Sequence, residues 1–257
     1  MKLARYWTRE SAEATGREGP IRVVSRGWSN QSLEHAATVA RDLARRVAER
    51  LASGMSPEAR YQYGDRPLPE PVIREFQGPA AGVVTRNMYG ALVLNTDDLM
   101  FIDIDREPRH ATNEIQQVAE RNGVAARIYK TAAGYRVMIS NVAILPGSSQ
   151  SETLLQQFQS DSLYVRLCRA QQSFRARLTP KPWRVGMHTP PVSFPFETPS
   201  DQAKFNHWVA RYDAASDRYA TCHYVAQAGT RGIAPQFYDL IEFHDQQTKA
   251  NSGLPLA

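Results

Sequence analysis

LMFIDID at residues 99–105 and RIYKTAAGYRVMIS at residues 127–140 are the stretches that decide how this chain folds. In the first, the apolar run Leu99 to Ile102 leads straight into Asp103, Ile104 and Asp105, which predicts a strand from Leu99 to Asp105 with a polar end. Side chains alternate across a strand, so Asp103 and Asp105 share one face while Ile102 and Ile104 point to the other. The second stretch reads as a hairpin, with strands Ala126 to Thr131 and Tyr135 to Ser140 around a tight loop containing Gly134. Arg136, Met138 and Ser140 fall on one face of it, whereas Tyr135, Val137 and Ile139 suit a core. Between the two, Thr112 to Asn122 carries Ile115, Val118 and Ala119 at helical spacing, with Gly123 as the stop. Strand, helix, strand and hairpin partner make an α/β organisation.

Outward from this centre the punctuation changes. Gly82 to Arg86 and Tyr89 to Asn95 read as two further strands. Prolines and glycines recur between Met55 and Pro79, so this stretch reads as connection with one short helix around Val72 to Phe76. The N-terminus predicts two short strands, LARYWTRE and IRVVSRGW, around the loop SAEATGREGP. A helix from Ser32 to Ser53 follows, with one narrow apolar stripe that includes Ala36, Ala40, Ala44 and Val47. The expected division is an N-terminal β-β-α element, residues 1–56, and a main domain, residues 57–257. After Ser140 the pattern is mostly helical: Glu152 to Gln159, Ser162 to Arg177, Ser200 to Ala215 and Pro235 to Ala250, interrupted by proline-rich loops.

Composition narrows the class. With 257 residues, 42% hydrophobic and 22% charged, the chain can bury a core without staples and is unlike a disordered sequence. No run is long and apolar enough to cross a bilayer and the first residues lack a signal-peptide core, so a cytoplasmic protein without membrane attachment is expected. Cys168 and Cys222 are too few for a disulfide framework and read as buried thiols. Net charge is +5, yet residues 162–184 alone hold Arg166, Arg169, Arg175, Arg177, Lys181 and Arg184 with no carboxylate. A basic excess gathered in one segment points to a phosphate-bearing partner, although a solvated basic helix has the same composition. There is no glycine-rich phosphate loop, no Gly-x-Ser-x-Gly elbow and no His-Glu-x-x-His helix, and the six histidines are scattered.

The chemistry resides in the central stretches. Two carboxylates roughly 7 Å apart on one strand face repel unless a cation sits between them. Mg²⁺ or Mn²⁺ held by Asp103 and Asp105, waters and substrate phosphates fits that layout. The same pair also suits a solvated turn paired with a neighbour such as Arg106. Lys130, Thr131 and Arg136, beside the glycine turn, have the donors to hold a triphosphate.

FIDID, then a helix, then YKTAAGYRVMIS resembles the archaeo-eukaryotic primase superfamily, in particular the primase-polymerase domains that accompany bacterial end-joining ligases. The likeness covers residues 99–141. It implies an RRM/palm-like central sheet flanked by helices, with the N-terminal β-β-α element before it and a mostly helical C-terminal part after it. It implies a metal-dependent nucleotidyltransferase whose partners are nucleic acid and a nucleoside triphosphate, or a degenerate module that binds the same ligands without turnover. Asp103 and Asp105 would match the metal carboxylates, and Lys130 and Thr131 the hairpin pair at the nucleotide. The family's hairpin histidine falls on Arg136, which cannot act through a neutral imidazole. Nor does an apolar strand ending in aspartate follow Ser140 to supply a third carboxylate; Asp213, Asp217, Asp239 and Asp245 lie in segments that read as helices. On the same reading Arg175, Arg177, Lys181, Trp183 and Arg184 would line a groove for the nucleic-acid backbone and its bases.

Overall fold

The computed structural model describes residues 1–55, 66–105, 111–230 and 232–257, so the expected Arg106 pairing lies outside the described residues. By its contacts the chain divides into two units. One consists of Met1, Val72–Thr189 and Val209–Ala257, the other of Lys2–Pro71 and Pro190–Trp208.

The smaller unit is built on a hairpin of β1 (Tyr6–Gly16) and β2 (Gly19–Ser29), whose strands pair along their full length. The pairing runs through most of the stretch expected to be a loop, leaving only Arg17 and Glu18 to turn. Helix α1 (Leu33–Ala52) starts at Ser32, whose side chain accepts a hydrogen bond from the His35 amide and so meets one of the unpaired donors of the first turn. Ala36, Ala40, Ala44 and Ala48 are completely buried, a stripe at intervals of four that lets helix and hairpin approach closely. Gly27 of β2 sits at that approach. A Cβ there would lie 2.6 Å from the Ala40 amide nitrogen and 2.7 Å from its Cβ, and would also strike the Ala36 carbonyl. Gly27→Ala should therefore destabilise this unit by about 2–3 kcal/mol, as a drop in thermal midpoint would report. A neutral result would mean that α1 does not lie against β2.

The larger unit is an α+β fold, as the sequence predicts, with two four-stranded antiparallel sheets. The first contains β3 (Val72–Phe76), β4 (Gly82–Arg86) and β5 (Leu92–Thr96). The second receives β6 (Met100–Ile104), then α2 (Ala111–Arg121), β7 (Ala125–Thr131) and β8 (Tyr135–Ile139). Both β6 and β7 pair antiparallel with β8, so they run parallel to each other with β8 between them and α2 as the crossover. This is a split β-α-β unit, and it places Asp103 directly opposite Arg136. Beyond it come α3 (Ser149–Gln157), α4 (Ser162–Gln171), β9 (Phe174–Arg177), α5 (Pro199–Ser216), of which only the part from Val209 belongs to this unit, β10 (Cys222–Gly229) and α6 (Tyr238–Thr248). Strand β9 closes the first sheet against β5, and β10 extends the second on the outer edge of β7. The core on the two faces of the second sheet includes Phe101, Tyr129 and Met138 on one side and Ile102 and Ile128 on the other, with Phe174 of the first sheet in the same cluster, all essentially inaccessible to solvent.

Three expectations need correction. Val72–Phe76 is a strand and not a short helix, because its edge pairs with β4 from Phe76↔Gly82 to Val72↔Thr85. The helix expected to reach Arg177 stops at Gln171; Gln172 is left-handed, at φ 52°, and Phe174–Arg177 takes up strand pairing with β5. Cys222–Gly229 is also a strand, so the C-terminal part is less helical than its sequence suggests. In each case the backbone partner is supplied by residues that a local pattern does not contain.

Candidate functional site

The site grows from the register of the second sheet. Residues directly opposite in an antiparallel pair lie on the same side, so Asp103, Arg136 and Tyr129 share one face across β6, β8 and β7. Asp103 is tied to α4 through its backbone: its carbonyl accepts from the Ser160 hydroxyl at 3.0 Å and the Asp161 amide at 2.9 Å. Asp161 in turn caps α4 by accepting from the Tyr164 amide at 2.8 Å.

Arg136 is 4% exposed. Its Nη1 donates to the Arg177 carbonyl at 2.9 Å and to His244 Nε2 at 3.2 Å. A guanidinium has only donors, so Nε2 must accept and the imidazole proton must sit on Nδ1, which donates to Asp245 Oδ1 at 2.9 Å. Asp245 also accepts from the Tyr129 hydroxyl at 2.7 Å and from Arg127 Nη2 at 2.6 Å. The imidazole is enclosed, with the Phe101 and Tyr129 rings 5.5 and 4.9 Å from it. Burial lowers its pKa to about 4, aided by Arg136 and opposed by Asp245, so it is neutral near pH 7. Burial would raise the Asp245 carboxyl, but the bonds from His244, Tyr129 and Arg127 outweigh it and hold the carboxyl below its usual range. Arg136 is thus fixed from behind by a buried imidazole-carboxylate pair.

Further cations lie at the end of β9 and just after it. Burial depresses the Arg177 guanidinium, Arg136 and Arg184 push the same way, and Asp103 opposes them. Arg177 Nε is buried and has no hydrogen-bond partner among the described residues. Lys181 is lowered by burial and by the charges of Arg177 and Arg184, with Asp105 and Asp103 acting against them. Asp103 itself is raised, chiefly by burial; Arg136 and Arg177 oppose this, while Asp105 and Asp161 add to it. These influences define one cluster: Asp103 on β6 and Asp105 just past its end, Arg136 on β8, and Arg177, Lys181 and Arg184 on and after β9.

The remaining sequence candidates lie elsewhere or have other work. Lys130 pairs across from Tyr135 and therefore points to the face opposite Asp103, where its ammonium sits 4.6 Å from the Tyr135 ring centre. Thr131 is on the Arg136 face, but its hydroxyl accepts from the Gly134 amide at 3.1 Å and shapes the hairpin turn. Arg175 is 9% exposed and donates to Asn95 Oδ1 at 2.7 Å, inside the fold. Trp183 is half-exposed, with the Lys181 ammonium 5.5 Å from its ring and Tyr89 edge-on at 5.4 Å. His244, Asp245, Tyr129 and Arg127 were not candidates from sequence. The adjacency of His244 and Asp245 was visible, but nothing local placed them behind Arg136. Among the described residues no three His, Cys, Asp or Glu side chains are arranged to hold a metal ion, and no helix is long and apolar enough to cross a membrane. No family model, curated protein or solved structure matches this chain.

Proposed function

We propose that this protein binds the phosphates of a nucleotide or nucleic acid at the Arg136, Arg177, Lys181 and Arg184 cluster, as a primase-polymerase-like module without turnover. The observation that carries the reading is the buried Nε of Arg177, without a hydrogen-bond partner among the described residues, beside cations that depress the charges of Arg177 and Lys181. A phosphate oxygen would supply the missing acceptor and neutralise the excess at once. Asp103 and Asp105 do not cancel four cations, and burial holds Asp103 toward its neutral form.

Binding of a labelled oligonucleotide should weaken steeply with salt. The Arg177→Gln, Lys181→Gln double variant should lose at least tenfold in affinity and show a salt slope smaller by about 1–2. Equal affinity and slope in parent and variant would rule the site out.

A second reading keeps the enzyme. Asp103 near the end of β6 and Asp105 just beyond it are two carboxylates close in the chain, which favours Mg²⁺ or Mn²⁺ there and nucleotidyl transfer. The residues present fit a two-metal centre poorly, since the pair lacks a third ligand among the described residues and faces two guanidinium groups. Mn²⁺-dependent nucleotide incorporation, lost in Asp103→Asn with Asp105→Asn, would establish it over the binding module.

A further inference from the structure

The smaller unit carries a second concentration of positive charge, independent of the site around Asp103. Arg9 of β1 and Arg26 of β2 are directly opposite each other in the hairpin register. Like charges at such a position repel at close range, and a cross-strand arginine pair with nothing between it is destabilising. Face parity puts them on the side away from α1, because Gly27, one residue on from Arg26, is the residue that meets Ala36 and Ala40. Both arginines converge on Ser193: Arg9 Nη2 donates to its hydroxyl at 2.7 Å and its carbonyl at 3.0 Å, and Arg26 Nη2 reaches the hydroxyl at 3.5 Å. Arg9 Nε is buried and has no hydrogen-bond partner among the described residues. Burial and the charges of Arg9 and Arg66 all depress the Arg26 guanidinium, so a third cation acts at the same place. The nearby carboxylate of Glu197 is taken by Arg22, at 3.4 Å, and no carboxylate pairs with Arg9 or Arg26 among the described residues.

We infer that Arg9 and Arg26, with Ser193 between them, form an oxyanion site that takes a phosphate group. A guanidinium edge is matched to two oxygens of one phosphate, the Ser193 hydroxyl can turn to donate a third bond, and a doubly charged anion converts the arginine repulsion into attraction. Trp28, 38% exposed, is one pair further along the same face, next to Arg26 in the alternation. The phosphate is either a free phosphoanion or part of a nucleic-acid backbone.

The test uses the full chain in an Arg177→Gln, Lys181→Gln background, which weakens the site around Asp103. Calorimetric titration with inorganic pyrophosphate should detect one site, weakened at least tenfold by Arg26→Gln, and weakened by Arg26→Lys as well because the forked donor is lost. In phosphate-free buffer Arg26→Gln should melt no lower than the background protein, since it removes a repulsion. Oligonucleotide anisotropy identifies the source: if Arg26→Gln also reduces its affinity and salt slope, the ligand is the nucleic-acid backbone, and if only pyrophosphate binding falls, it is a free phosphoanion. Absence of pyrophosphate binding, or binding unchanged in Arg26→Gln, overturns the proposal, as does a lower melting point in that variant, which would mean that Arg26 is structural.

Discussion

Arg136→Ala is expected to destabilise the larger unit by about 3–5 kcal/mol, the range for removing one member of a buried charged network. Two partners would be left unmet, the Arg177 carbonyl and His244 Nε2, and the Asp103 carboxyl would lose the charge that most favours its ionised form. Chemical denaturation checks the size. A double-mutant cycle separates network from volume, because Arg136→Met combined with Asp103→Leu replaces both charges with apolar side chains in one buried place. The combined variant should be more stable than Arg136→Ala alone, since no buried charge is then orphaned. If Arg136→Ala cost less than about 1 kcal/mol, Arg136 would not be the keystone between the two halves of the site.

The second large effect is on pH. The His244 pKa is lowered to about 4 from an ordinary 6.5, so the unfolded chain takes up a proton that the folded protein refuses. The stability this contributes is complete above pH 6.5 and disappears as pH falls toward 4, an expected loss of about 3 kcal/mol. Asp245, held low in the fold, extends the loss below its ordinary carboxylate value. Asp103 works the other way: its raised carboxyl binds a proton in the folded state first, which offsets part of the loss at the acid end. Denaturation midpoints between pH 7 and pH 4 test this. In His244→Gln the dependence over that window should flatten even though the variant is less stable overall, and an NMR titration of the parent should find the imidazole neutral at pH 5. A His244 that titrates near 6.5 would sink the prediction and, with it, the buried acceptor for Arg136.

The comparison between sequence and structure turns on particular residues. The strand that carries Asp103 was legible because the apolar run before it marks the strand, but β6 ends at Ile104, so the alternation that would align Asp105 with Asp103 stops one residue short. Arg136 was legible for the same reason, one strand further on. Lys130 and Thr131 are both next to the turn, yet the pairing Lys130↔Tyr135 sends the Lys130 side chain to the far face. Neighbours in sequence are opposites in a sheet. The apolar rhythm of SLYVRLCRAQQSFRAR predicts a helix as far as Arg177; pairing with β5 overrides that rhythm past Gln171 and brings the Arg177 carbonyl to Arg136. Arg175, two residues earlier, was buried by the same change.

Alternation along β6 and β8, the alanine stripe of α1 and the helical spacing between Thr112 and Asn122 are set by neighbours a few residues apart, so the sequence alone determined the α+β class and the strand on which Asp103 sits. Which cations would stand beside those aspartates, and that a neutral His244 would lie behind Arg136, were decided only by tertiary structure. Arg136 meets Arg177 and His244 across 41 and 108 residues of chain. Contacts of that range depend on strand register and on how α6 docks, both set by burial of the whole core and not by any local pattern.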